Sequence, residues 1–208
     1  MPSHVAHRAH RADVPAIRDL RPCPAASARS TLGPEVIRMA RVLVTYGSTR
    51  GSTAEIARWV GEALRRDGHR ADVVPALEAG GKTDVAGYDA VVIGGALYAG
   101  IWHKDARRFA RRNARALRER PVWLFSSGPL DRSAEEKDIP PVRGVARRMA
   151  RLGARGHATF GGRLAADAQG VMAASLARKM AGDHRDRGHV AAWAASVSAA
   201  LRAGQPSG

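Results

Sequence analysis

Between Tyr46 and Glu55 the sequence reads YGSTRGSTAE, and its residue types suit the capture of an anion. Ser48, Thr49, Ser52 and Thr53 offer hydroxyl donors, and Gly51 permits a tight backbone path. If a helix starts here, its first backbone N–H groups lack partners within the helix and point at one spot, with the positive end of the helix dipole behind them. A phosphate monoester is the natural occupant of such a cradle. Ser52-Thr53-Ala54-Glu55 also reads as a capping box, with the Ser52 hydroxyl accepting from the amide near Glu55, but a cap alone asks for neither Ser48 nor Thr49. The Lys of a GxxxxGK[ST] loop is absent and so is GxGxxG, which argues against ATP or NAD as the tightly bound ligand.

The elements that would carry this loop follow from the alternation of short apolar runs with helical patterns, the signature of a parallel sheet wrapped by helices. Residues 42–46 form strand one. Ile56, Ala57, Val60, Ala63 and Leu64 at helical spacing mark a helix over 53–66, stopped by Asp67-Gly68. Strand two spans 71–75 and is followed by an irregular crossover through Gly80-Gly81; strand three spans 90–94 and leaves through Gly95. A helix over 104–119 turns Ala106, Phe109, Ala110, Asn113 and Leu117 to the sheet. Strand four covers 121–126, a turn-rich loop 127–141, an Arg-rich helix 142–152 and a last strand 157–160, with helical segments at 170–180 and 190–202. Five strands in strict alternation give a doubly wound α/β sheet, for which two strand orders are common, with the ligand beyond the carboxyl ends of the strands.

The order Tyr46-Gly47-Ser48-Thr49-Arg50-Gly51-Ser52-Thr53 resembles the phosphate loop of flavodoxins, [ST]-x-T-G-x-T, and the resemblance extends over about residues 41–202. It implies the five-stranded order 2-1-3-4-5 and flavin mononucleotide (FMN) as cofactor. Arg50 stands where flavodoxins favour Thr, and its guanidinium can pair with the phosphate. The resemblance places Gly95, Ala96, Leu97, Tyr98, Gly100 and Trp102 along the flavin ring, with small residues letting backbone approach and Tyr98 or Trp102 stacking, unless the two aromatics only cover the sheet end. Ser126, Ser127 and Gly128 would supply amides to the pyrimidine edge. The third loop lacks the Tyr that often covers the outer ring face, so one face would be open to substrate. Residues 93–117, the 127–155 insertion and Ala192-Trp193-Ala194 are most similar to the menaquinone-dependent protoporphyrinogen oxidase branch. That branch commonly carries aromatic-Arg-Asp-Trp where this chain has His184-Arg185-Asp186-Arg187. The resemblance thus implies a flavin oxidoreductase taking electrons from a porphyrinogen or other reduced organic substrate and passing them to a quinone. Its alternative is an electron carrier that docks on a redox protein.

The chain has 208 residues, a net charge of +15 and a single Cys, Cys23, so an internal disulfide is excluded and a reducing cytoplasm expected. No Cys/His spacing suggests a metal, and no Ser-His-Asp arrangement suggests a nucleophile. Residues 1–38 read as a disordered extension and Met39 as a start immediately before the fold, a real basic arm being the alternative; residues 39–203 form the domain and 204–208 a tail. Only four of the 34 basic residues are Lys, a bias that discounts the charge as evidence of function. Still, Arg107, Arg111, Arg115 and Arg118 form one stripe, and Arg143, Arg147, Arg151 and Arg155 another. Both are solvated helix backs, or surfaces for an acidic partner, propionates or the anionic inner membrane face. No base-reading motif accompanies them, which argues against nucleic acid.

Overall fold

The structure, a computed structural model, describes residues 39–82, 84–128, 134, 138–164 and 182–204. The extension 1–38, most of the 129–137 loop, the helical segment expected at 170–180 and the last four residues lie outside these. Five parallel strands form the sheet: β1 (Arg41–Gly47), β2 (Arg70–Pro75), β3 (Ala90–Tyr98), β5 (Val122–Ser127) and β6 (Gly156–Phe160). Their order is β2-β1-β3-β5-β6, which in terms of the long strands is the expected 2-1-3-4-5. A two-residue strand β4 (Ile101–Trp102) pairs antiparallel with the end of β3. A separate ribbon joins β7 (Arg163–Leu164) to β8 (Gly182–Asp183).

Alternation along the strands sorts the core into two layers. Val42, Val44 and Val92 face α1 (Ser52–Arg66) and the C-terminal α6 (Arg187–Ala203), packing with Ile56, Val60, Leu64, Val190 and Val197. Leu43, Val91, Ile93 and Leu124 face the other layer, built from α2 (Ala76–Lys82), α3 (Lys104–Arg112), α4 (Ala114–Arg118) and α5 (Arg143–Leu152). Trp193 packs edge-on against Phe125 and Phe160, ring centroids 6.1 Å and 5.6 Å away, which docks α6 on β5 and β6.

Three elements differ from the sequence expectation. The crossover at 76–82 is helical despite Gly80-Gly81, because Ala76 and Ala79, one turn apart, are buried in the second layer. Strand three continues four residues beyond Gly94 and folds back through Ala99 and Gly100, both at positive φ (48° and 73°), the two-residue turn suited to the twist of a hairpin. The helix expected over 104–119 is interrupted at Asn113, whose side-chain amide donates to the Phe109 carbonyl at 3.0 Å. The apolar face survives the break, with Ala106, Phe109, Ala110 and Leu117 all buried.

Candidate functional site: a cavity at the carboxyl end of the sheet

A cavity of about 400 Å³ opens at the carboxyl ends of β1, β3 and β5. Ser48, Arg50, Ser52 and Thr53 form one wall, Ala96, Leu97, Tyr98 and Ala99 a second, and Ser127 and Gly128 a third. A wall that the sequence did not suggest comes from Gly162, Arg163 and Leu164. The three loops singled out in the sequence therefore converge on one space.

The first wall is held by its own hydroxyls. Ser48 Oγ accepts from Gly51 N at 3.0 Å, and Gly51, at φ 81°, is the residue before α1. The capping box is not formed: Ser52 Oγ instead accepts from Arg163 N at 3.1 Å, tying the first wall to the fourth, and α1 has no side-chain cap. Its first N–H groups are thus left to the cavity side. Thr53 Oγ1 is buried and has no hydrogen-bond partner among the described residues, although it lines the cavity. A buried hydroxyl without an acceptor is costly, and a ligand oxygen at this place would satisfy it.

Thr49 and Gly51 do not line the cavity. Thr49 Oγ1 turns to His103 Nε2 at 3.0 Å, while His103 Nδ1 accepts from Asp105 N at 3.3 Å and caps α3. Nε2 therefore carries the proton and donates to Thr49. Burial lowers the pKa of His103, keeping it in the neutral form this arrangement needs. Gly47 is required here, since a Cβ would lie 2.6 Å from His103 Nδ1.

In the second wall Tyr98 is 39% exposed at the cavity, but Trp102 is only 2% exposed and lies beneath the hairpin, its Nε1 donating to the Phe125 carbonyl at 3.3 Å. Trp102 covers the sheet end instead of facing the cavity. Gly95 sits under this indole, where a Cβ would fall 2.4 Å from Nε1, and Gly94 sits under Phe125 at 2.0 Å. Both glycines thus make room for aromatic rings of the protein itself. Gly100 is at the hairpin tip, outside the lining. Ser126 is also turned away, its Oγ 3.0 Å from His157 Nε2, and burial holds the pKa of His157 down at about 4.

The fourth wall is positioned by contacts distant in sequence. A Cβ at Gly161 would meet the His184 carbonyl oxygen at 1.7 Å, and His184 N donates to the Gly162 carbonyl at 3.0 Å. Arg185, its side chain 4% exposed, hydrogen-bonds Asp183 and Glu55 and lies 5.1 Å over the Trp59 ring. The guanidinium holds the Asp183 carboxyl below its usual range. Asp186 caps α6, accepting from Gly188 N and His189 N, and Arg187 pairs with Glu62 at 2.7 Å. The His184-Arg185-Asp186-Arg187 segment is therefore a clasp between the β7–β8 ribbon, α1 and α6. The Gly161-Gly162 pair is the local mark of this close approach in the sequence.

Comparisons with known proteins agree with this architecture. The sequence profile of the flavodoxin domain matches residues 43–187. Protoporphyrinogen IX dehydrogenase [quinone] of Escherichia coli strain K12 is 28% identical over 111 residues, which span 52% of this chain and 59% of that protein. A flavodoxin from the domain Archaea superposes with TM-score 0.52 at 11% identity, over 78% of this chain and 99% of the other. Rubredoxin oxygen:oxidoreductase of Desulfovibrio gigas superposes with TM-score 0.51 at 13% identity, over 78% of this chain but only 36% of that one.

Proposed function

We propose that this chain, which belongs to the flavodoxin domain family, binds FMN in the cavity at the carboxyl end of its sheet and works as a flavin oxidoreductase. The observation that carries the reading is Thr53 Oγ1, a buried, unpartnered hydroxyl aligned with Ser48, Ser52, Arg50 and the uncapped start of α1. These groups fit a phosphate monoester: the hydroxyls of Ser48 and Ser52 already accept backbone N–H bonds and keep their own protons to donate, and the α1 amides add charge of the right sign. Bound there, the flavin would supply reversible transfer of electrons, chemistry that no side chain of the site provides.

The chain's own contribution is binding, orientation and exclusion of water. Leu97, Tyr98 and Ala99 on the hairpin, with Ser127 and Gly128 opposite, would bracket the ring. The Thr49–His103 bond fixes the phosphate loop to α3 and so sets the depth of the cradle. The site residues Thr49, Gly51, Gly95, Gly100, Trp102 and Ser126 act on this reading from behind the wall, by shaping it. The substrate we propose is a porphyrinogen-type or other reduced organic molecule, with a quinone as electron acceptor; its support is the distant relative named above.

Mixing the purified protein with FMN and desalting it tests the first part. A yellow protein with one flavin per chain is expected, and a colourless one overturns the reading. Steady-state oxidation of protoporphyrinogen with a menaquinone analogue tests the second. A flavin-loaded protein that shows no turnover but exchanges electrons with a redox protein is a carrier instead.

A further inference from the structure

A second concavity, about 680 Å³, lies on the opposite face from α1 and α6, between α3 and α5. Its α3 wall carries Lys104, Arg107, Arg108 and Arg111. Its α5 wall carries Arg147, Arg148 and Arg151, and Asp105 is the single carboxylate in the lining. The interruption at Asn113 separates the rest of the stripe: Arg115 and Arg118 lie on α4, where Arg115 pairs with Glu119 at 4.0 Å. Arg155 likewise leaves the α5 row to lie 5.8 Å over the Trp123 ring. What remains is two arginine rows facing each other across one groove.

Among the described residues, none of the seven cations has an ion pair with a carboxylate. Like charges held together in this way are unfavourable unless an anion lies between them. Two of them carry the cost directly. Arg107 Nε is a buried donor with no acceptor among the described residues. Arg148 has its pKa lowered by burial, and then by the neighbouring charges of Arg107 and Arg111. Two solvated helix backs would not converge on a shared recess or bury a guanidinium nitrogen there.

We propose that this groove is a binding site for a compact polyanion whose charge is carried by phosphate groups. A phosphate offers three non-bridging acceptor oxygens at the end of a string and two within it, so several guanidinia from both walls can engage one group, and a string of them can neutralise six net positive charges where a dicarboxylate cannot. The volume falls within the range of small-molecule sites, roughly 300 to 1,000 Å³. Leu77, Ala110 and Leu152 leave room for an apolar portion beside the charged one.

The probe is inorganic tripolyphosphate, titrated calorimetrically into the FMN-treated protein at physiological salt. Saturable one-to-one binding is expected, weakened about tenfold or more by Arg107→Gln/Arg148→Gln and unchanged by Arg115→Gln/Arg118→Gln, which removes the same charge outside the groove. Should the first variant unfold, Arg111→Gln/Arg151→Gln, both exposed, takes its place with the same expectation. No saturable binding, or equal weakening by inner and outer variants, overturns the proposal. Vesicles of phosphatidylglycerol distinguish the source. Vesicle binding that tripolyphosphate displaces identifies a lipid headgroup, tripolyphosphate binding alone identifies a free phosphate ligand, and vesicle binding without any tripolyphosphate binding overturns the groove as a site. Flavin content is measured in every variant, so loss of the FMN site is read separately.

Discussion

Thr53 and Arg50 occupy the same wall but differ in how they are held, and substitutions should separate them. Thr53→Val removes a buried hydroxyl that the protein itself does not satisfy, so the flavin-free protein should keep or gain stability, by up to about 1 kcal/mol. FMN affinity should nevertheless fall about tenfold or more, because a hydrogen bond to a charged group contributes roughly 1.5 to 3 kcal/mol. Thermal melts and fluorescence titration check the two halves, and a loss of stability without loss of affinity would return Thr53 to a purely structural role. Arg50→Ala should weaken FMN binding with little change in melting temperature, since Arg50 is exposed in the loop before α1. Unchanged affinity would leave Arg50 a surface charge.

Among the elements, the β3–β4 hairpin and the clasp before α6 decide how the cavity is walled. Ala99 adopts φ 48° at the first central position of the hairpin turn, where a Cβ is disfavoured and Asn or Gly is the usual occupant. Ala99→Asn should therefore raise stability by roughly 0.5 to 1 kcal/mol, read from denaturant midpoints at unchanged slope. The clasp depends on Arg185, whose partners Glu55 and Asp183 are themselves partly exposed. Arg185→Met should cost about 1 to 3 kcal/mol, less than breaking a fully buried pair. The loss should be local: amide exchange should quicken across residues 182–189 and stay slow in β1 and β3. Uniform acceleration would show that the clasp is part of the global core.

For the molecule as a whole, three histidines among the described residues contribute to the response to acid. His69, His103 and His157 all have pKa values lowered primarily by burial, His157 to about 4. His69 Nδ1 accepts from Ala40 N at 3.3 Å and His103 Nδ1 from Asp105 N, so protonation would set donor against donor at both. The unfolded chain takes up these protons near the ordinary value of 6.5, before the folded one does. The contribution of these histidines to stability is then complete above about pH 6.5 and declines as pH falls towards about 4. His157→Gln should flatten this decline in melting temperature, and an unchanged slope would remove His157 from the account. No helix among the described residues is long and apolar enough to cross a membrane.

Short-range pattern determined a good part of this protein. The period-two and helical spacing of apolar residues specify strands and helices wherever one face is buried, which is why β1, α1, β5 and β6 fall within a residue or two of expectation. The hydroxyl-rich loop was legible for the same reason, since its chemistry lies within eight consecutive residues. Only tertiary structure decided the rest. Gly94 and Gly95 give no local sign that Phe125 and Trp102 will lie across them, and Gly162 to Leu164 are held at the cavity by partners far away in sequence: Ser52 Oγ accepting from Arg163 N, His184 N donating to the Gly162 carbonyl, and Arg185, following the β7–β8 ribbon, gripping Glu55. The arginine stripes were visible in the sequence, but the groove they share depends on the break at Asn113 and on how α3 and α5 pack. Periodicity is a property of neighbours along the chain, whereas the shape of a cavity depends on register and packing between segments that the sequence keeps far apart.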